Sequence, residues 1–226
     1  MLLVRIVQQN DWVVFIIVGC ILLYVFMLLY LHRDSSVKVF LMQKFADSSN
    51  NLLSWLIVSS VFTVLLATFI SQTIPIVPQR IRDIHLFGYE LNKFGFTLSA
   101  LVLFYGIKSI LTYLFYAGSC SLKRWPLFQF ATSKFYFTFS LLLMILCVYQ
   151  YFYKVNDLQL LNNYKSIDLQ LFDYYFFGFT GIFIFKVLLY LLSPNQILPE
   201  KWYYKFLYIC TLQFAPILVL WKVLYI

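Results

Sequence analysis

The sequence predicts an all-α, polytopic membrane protein, and three observations carry that expectation. Of 226 residues, 62% are hydrophobic and only 12% charged, about half the charged share of an ordinary soluble domain. The apolar residues gather into six runs, each of about 20 residues, the length that crosses a hydrocarbon slab roughly 30 Å thick. The runs also lack the alternation of a barrel strand. A spanning segment has to satisfy its own backbone polar groups, so they are read as helices. Residues 1–226 form one membrane domain of six transmembrane helices, with short interfacial helices in the loops.

The first span runs from Trp12 to Leu31. Within it "IVGC", Ile17 to Cys20, resembles a lipid-attachment box, but the residues after Cys20 stay apolar and Asp11 borders the short stretch before it. A retained signal-anchor helix is therefore expected. In the loop that follows, Val37, Phe40, Leu41 and Phe45 share one helical face while Lys38 and Lys44 lie elsewhere, the pattern of a short helix resting in the headgroup layer.

The second span, Leu52 to Ile74, is closed by Pro75 and Pro78. Ser60, Thr63, Ala67 and Ser71 fall along one side of it as a small-residue packing face, directed at a helix of this chain or of a partner. The third span is Phe94 to Tyr116 and the fourth Phe135 to Tyr153. The linkers Arg80 to Lys93 and Asp157 to Asp173 suit further amphipathic helices at the surface. The fifth span runs from Phe172 to Leu192, closed by Ser193-Pro194, and the sixth from Tyr203 to Ile226. "FGFT" occurs at Phe94 to Thr97 and again at Phe177 to Thr180, but the distances to the following lysine differ. That mismatch argues against an inverted-repeat transporter.

Six crossings place both ends on one side. Lysines and arginines divide almost evenly between the two sides, but Lys123, Arg124 and Lys134 crowd one short loop. The positive-inside rule then makes that loop cytoplasmic and the termini periplasmic. The net charge of +8 is spread along both faces, which suits membrane lipids with anionic headgroups and not nucleic acid. His32 and His85 fall in different loops, Cys20, Cys120, Cys147 and Cys210 have no metal-site spacing, and no GxxxxGK loop is present. Neither a metal site, a cofactor nor a catalytic group is expected, and the chain is read as non-enzymatic.

The polar residues inside the spans are the candidate binding layer. Lys108 interrupts "LFYGIKSILTYLF" about 12 Å below the end of the third span. Lys186 lies about 9 Å, and Gln213 about 15 Å, from the same surface. A lysine at such depth costs roughly 2.5 to 3.5 kcal/mol unless it snorkels to the headgroups or finds a partner. The one carboxylate at a span edge, Asp173, lies about 20 Å from Lys186. The expected partners are therefore the hydroxyls of Tyr105 or Tyr113, the Gln213 amide, a lipid phosphate or an acidic helix from another subunit. Pro216 withholds a donor from the carbonyl of Leu212 and predicts a kink beside Gln213.

The stretch "YKFLYICTLQFAPILVLWKVL", Tyr204 to Leu224, resembles the C-terminal signature of an uncharacterised multi-pass inner-membrane family of the Bacteroidota, a domain of unknown function. Length and the Tyr/Phe-rich spans are similar as well. The resemblance implies a Gram-negative inner-membrane location and no assigned activity. The family pattern often has glutamate where this chain has Gln213, so no obligate charge is expected there. Two functions follow from the sequence. The first is a non-enzymatic integral subunit or scaffold of a cell-envelope complex, serving secretion or surface motility, with other membrane subunits or a second copy as partner. The second is a small transporter or lipid-handling protein that binds an anionic solute or headgroup at Lys108, Lys186 and Gln213.

Overall fold

A computed structural model describes residues 2–31, 37–42, 51–73, 85–86, 89–90, 93–119, 122–157, 181, 184, 186–188 and 202–214. Among these residues the fold is helical except for one two-residue antiparallel pair. Four helices are long and apolar enough to cross a membrane. They are α1 (Leu2–Phe26), continued by a π-helical turn at Met27–Leu31, α3 (Asn51–Thr73), α4 (Lys93–Gly118) and α5 (Trp125–Asp157). Two short helices accompany them, α2 (Val37–Met42) and α6 (Trp202–Leu207), the latter continued as a π-helix over Tyr208–Phe214. Gly181, Ile184 and residues 186–188 are helical too.

The helix ends follow local chemistry. Asn50 and Asn92 stand immediately before α3 and α4, and asparagine is a residue type that caps exposed N–H groups at a helix start. Gly118 closes α4, where the Ser119 N–H donates to the Phe115 carbonyl at 3.0 Å. The fourth span starts ten residues earlier than the apolar run suggested, at Trp125 in place of Phe135. Pro126 explains the difference, because proline in a first helical turn loses no hydrogen bond and brings a pre-set φ.

That earlier start moves Lys134 out of the expected loop and onto α5. Its Nζ donates to the Leu41 carbonyl at 2.8 Å and lies 4.5 Å from the Phe130 ring centroid. A cation thereby meets the carbonyl end of α2, the end that a helix leaves short of donors. The basic loop is reduced to Lys123 and Arg124 in a 3-10 turn. Phe40 of α2 is buried against Phe137, with ring centroids 5.1 Å apart, so this helix is pinned to the bundle by its aromatic side chain. Phe45 lies outside the described residues.

The linker Arg80 to Lys93 departs from the expected surface helix. His85–Leu86 pairs antiparallel with Tyr89–Glu90, His85 opposite Glu90 and Leu86 opposite Tyr89. The intervening sequence is Phe87-Gly88, and a two-residue connection holding glycine is a hairpin signal that the search for helical spacing passed over. Apart from Asp157, which ends α5, the linker Asp157 to Asp173, most of the fifth span and the chain beyond Phe214, Pro216 included, lie outside the described residues.

The axis of the bundle is α3, which packs most extensively on α5 and also contacts α4 and α1. Val58, Phe62, Leu65 and Ala67 of α3 meet Phe137, Leu143 and Cys147 of α5, with Tyr24 from α1 and Met27 from the π-helical turn that continues it. Four hydroxyls on this central helix are tied down locally: Ser60, Thr63 and Thr68 donate to carbonyls four residues back and Ser71 to one three back, at 2.7 to 2.9 Å. A self-satisfied hydroxyl can be buried without a partner on another helix, which lets small polar residues serve as close-packing surface. Between helices, Tyr24 and Ser140 share a hydrogen bond, and the Cys147 thiol approaches the Leu65 carbonyl at 3.9 Å.

Of the expected small-residue face, Thr63, Ala67 and Ser71 are buried within this chain, while Ser60 is exposed. Replacing Ala67, which is fully enclosed, by leucine should therefore overpack the α3 contact and cost about 1 to 3 kcal/mol. Ser60→Leu should leave stability close to wild type. Thermal unfolding of the detergent-solubilised protein checks both, and equal effects at the two positions would refute an inward-facing stripe.

Candidate functional site

Three elements bring polar groups together inside the bundle. Lys108 stands ten residues before Gly118, about 15 Å along α4, and Tyr136 eleven residues after Trp125, about 16 Å along α5. Measured from the same end of the bundle, the two positions therefore match in depth. Lys186 comes to this layer from the helical residues 186–188.

Lys186 is only 6% exposed, and its Nζ donates to the Tyr136 hydroxyl at 3.2 Å. The same ammonium lies 4.4 Å from the Tyr136 ring centroid and 5.1 Å from that of Phe135. Ring faces carry partial negative charge, so an enclosed cation against two of them is partly compensated. Snorkelling, one of the two relief mechanisms that the sequence left open, is therefore not what this lysine does: its head is turned into the bundle. Lys108 lies at the edge of the same cluster, with Nζ 5.9 Å from the Phe104 ring centroid and within electrostatic range of Lys186.

The wall behind the two cations is aromatic. Phe62 of α3 stacks on Tyr136 with ring centroids 4.5 Å apart and planes 8° from parallel. Tyr105 meets both edge-on, at 5.7 Å from Phe62 and 6.2 Å from Tyr136. Contacts of this kind are worth about 0.5 to 1.5 kcal/mol each beyond burial, so the stack fixes the Tyr136 ring and with it the hydroxyl that Lys186 uses. Two lysines in electrostatic range of each other thus meet neutral rings and, for Lys186, a neutral hydroxyl, an arrangement that can accept negative charge.

Of the expected partners, Tyr105 belongs to this wall. Tyr113 does not: it is exposed and packs against Trp125, with ring centroids 5.6 Å apart. Tyr136 was missed by sequence reasoning because the predicted span began at Phe135, which left Tyr136 looking like an interfacial residue. The backbone of Gln213 lies in the π-helix Tyr208–Phe214, while its side chain, with Pro216 and Asp173, lies outside the described residues. The irregularity in this last helix begins at Tyr208, ahead of the proline. Among the described residues no three of His, Cys, Asp and Glu stand together as a metal site.

Comparison with known protein families, with curated proteins and with solved structures finds no match to this chain.

Tyr136→Phe should keep the stack on Phe62 and delete the acceptor of Lys186, costing about 1 to 3 kcal/mol as a buried donor loses its bond. Adding Lys186→Met to that variant should restore most of the loss, because both polar partners are then gone. Denaturant unfolding in detergent micelles measures the cycle, and a Tyr136→Phe protein as stable as wild type would show that the bond holds nothing in place.

Proposed function

We propose that this chain is a multi-pass membrane protein, crossing six times, that binds an anionic solute or lipid headgroup at Lys108 and Lys186. The observation that carries the reading is the Lys186 ammonium, enclosed by this chain at 6% exposure and bonded to the Tyr136 hydroxyl. In hydrocarbon a cation at this depth is costly, and such residues characteristically face a bundle interior or a ligand path. A second cation within electrostatic range adds repulsion that an anion between them would relieve. Gln213 would add a neutral donor to the same layer. The membrane in this reading is the inner membrane of a Gram-negative bacterium, in line with the resemblance of Tyr204 to Leu224, with the termini periplasmic and α2 in the headgroup layer.

A subunit or scaffold role in a cell-envelope complex is the second reading, and the outward face of α4 favours it. Leu103, Ile107, Ile110 and Leu114 are all exposed there, on the helix that also carries Lys108. An acidic helix of a partner subunit could reach Lys108 from that face. Lys186 is closed off by its own chain, which is why a small anion or a headgroup is the reading placed first.

Native mass spectrometry of the full chain, released from nanodiscs of mixed zwitterionic and anionic phospholipid with inorganic phosphate present, tests the proposal. Retained anionic lipid or phosphate is expected with the wild-type protein and should be lost in both Lys108→Met and Lys186→Met, with folding preserved. Unchanged retention in both variants would remove the lysines from the site. A co-purifying protein in place of a small ligand would establish the subunit reading.

A further inference from the structure

The two lysines of the site differ in their surroundings. Lys186 is closed in by its own chain, whereas Lys108 is half-buried and stands on a border of α4. Successive residues turn about 100° around a helix, which places Leu101 and Thr112 next to Lys108 on one side, both of them buried. Leu111 and Ile107 lie next to it on the other side, exposed at 43% and 57%. Lys108 therefore divides the inner face of α4 from its outer one.

Among the described residues, the inner face of α4 is closed toward both ends of the bundle. Thr112 and Tyr116 are buried between Lys108 and the Gly118 end, and Leu101, Thr97 and Phe96 between Lys108 and the Lys93 end. Tyr116 packs further against Phe128 and Tyr208. The open direction is sideways. Ile184 and Leu188, two residues either side of Lys186, are exposed, as are Ile107 and Leu111. At this depth in a bilayer, exposed apolar side chains meet acyl chains.

That setting favours one kind of anion. A free anion arriving from the side would shed its water and cross hydrocarbon unaided, at the full desolvation cost. Around an intramembrane cation, by contrast, the bilayer thins locally and polar groups are drawn inward. An anionic phospholipid then moves only its head, while its chains stay in lipid against the apolar side chains of α4.

We infer that the ligand of Lys108 and Lys186 is the headgroup of an anionic phospholipid, drawn in sideways from the bilayer past the Leu111 edge of α4. The inference rests on the anion-binding reading above and names the source of the anion. Lys108 meets the phosphate at the border, and Lys186 marks the inner end of the site. A zwitterionic lipid brings an ammonium of its own, which the lysines repel, so the site selects net negative charge.

Photo-crosslinking of the full chain in nanodiscs of equimolar phosphatidylglycerol and phosphatidylcholine tests this. The crosslinker p-benzoylphenylalanine replaces Leu111 in one protein and Ile110 in another. Both positions are exposed and nearly level, but Ile110 faces away from Lys108. At position 111 the captured lipids should favour phosphatidylglycerol by about five to one, the preference that one added cation gives an anionic lipid. At position 110 they should follow the equimolar mixture. Lys108→Met should remove the preference at position 111, Lys108→Arg should preserve it, and excess inorganic phosphate should leave it unchanged. Should Lys108→Met not fold, Lys108→Gln removes the same charge and gives the same readout. Equimolar capture at position 111, or the same preference at both positions, would overturn sideways entry beside Lys108. A preference abolished by inorganic phosphate would overturn the lipid source and leave the lysines binding a free anion. Failure of the anion-binding reading itself shows separately, as unchanged retention of anions by both lysine variants in the mass spectrum, and would overturn this inference with it.

Discussion

The fold is organised around the problem of keeping a lysine head inside an apolar bundle. Lys186 meets the Tyr136 hydroxyl and two ring faces, and these contacts depend on their surroundings. The Tyr136 hydroxyl is where it is because the ring stacks flat on Phe62, and Phe62 is held because α3 is the helix that α1, α4 and α5 all touch. Removing the stack would loosen the hydroxyl to which the ammonium donates. In hydrocarbon, where helices gain little from burying apolar surface against one another, such polar and aromatic contacts weigh more in selecting one arrangement than they would in water.

The central helix can play this part because four of its hydroxyls ask for little from its neighbours. Ser60, Thr63, Thr68 and Ser71 donate to their own backbone, so they bring small volume and low polarity demand to the contacts. Close approach on one side of α3 is matched by separation on another: α4 and α5 both lean on α3 and leave a seam between them. Aromatic side chains close the upper part of that seam, and Lys186 meets Tyr136 lower down. The cation site and the seam are thus two results of one packing choice.

Much of this architecture could be read from the sequence, and the exceptions have physical reasons. The second and third spans were placed within one or two residues, because their apolar runs are bounded by prolines, asparagine and glycine. The start of α5 was missed since Trp125 to Lys134 contains polar residues that hydropathy penalises, although Pro126 marked a first helical turn. The hairpin at His85–Leu86 and Tyr89–Glu90 was missed because amphipathic spacing was sought where Phe87-Gly88 signalled a turn. Lys108 and Lys186 stood out at once as charges in apolar runs. Tyr136 did not, because tyrosine is common in this chain and only the fold reveals which of its 18 tyrosines meets a lysine. The π-helical turn at Tyr208 has no local sequence signature at all.

The central claim is that the Lys186 ammonium lies inside the bundle, on the Tyr136 hydroxyl, facing an anion shared with Lys108. A cryo-electron microscopy map of the protein in nanodiscs containing phosphatidylglycerol examines it directly. The account predicts the Lys186 side chain against Tyr136, with density for a phosphate-sized group between it and Lys108. A Lys186 side chain extended toward the aqueous edge, with the Tyr136 hydroxyl bonded elsewhere, would contradict it.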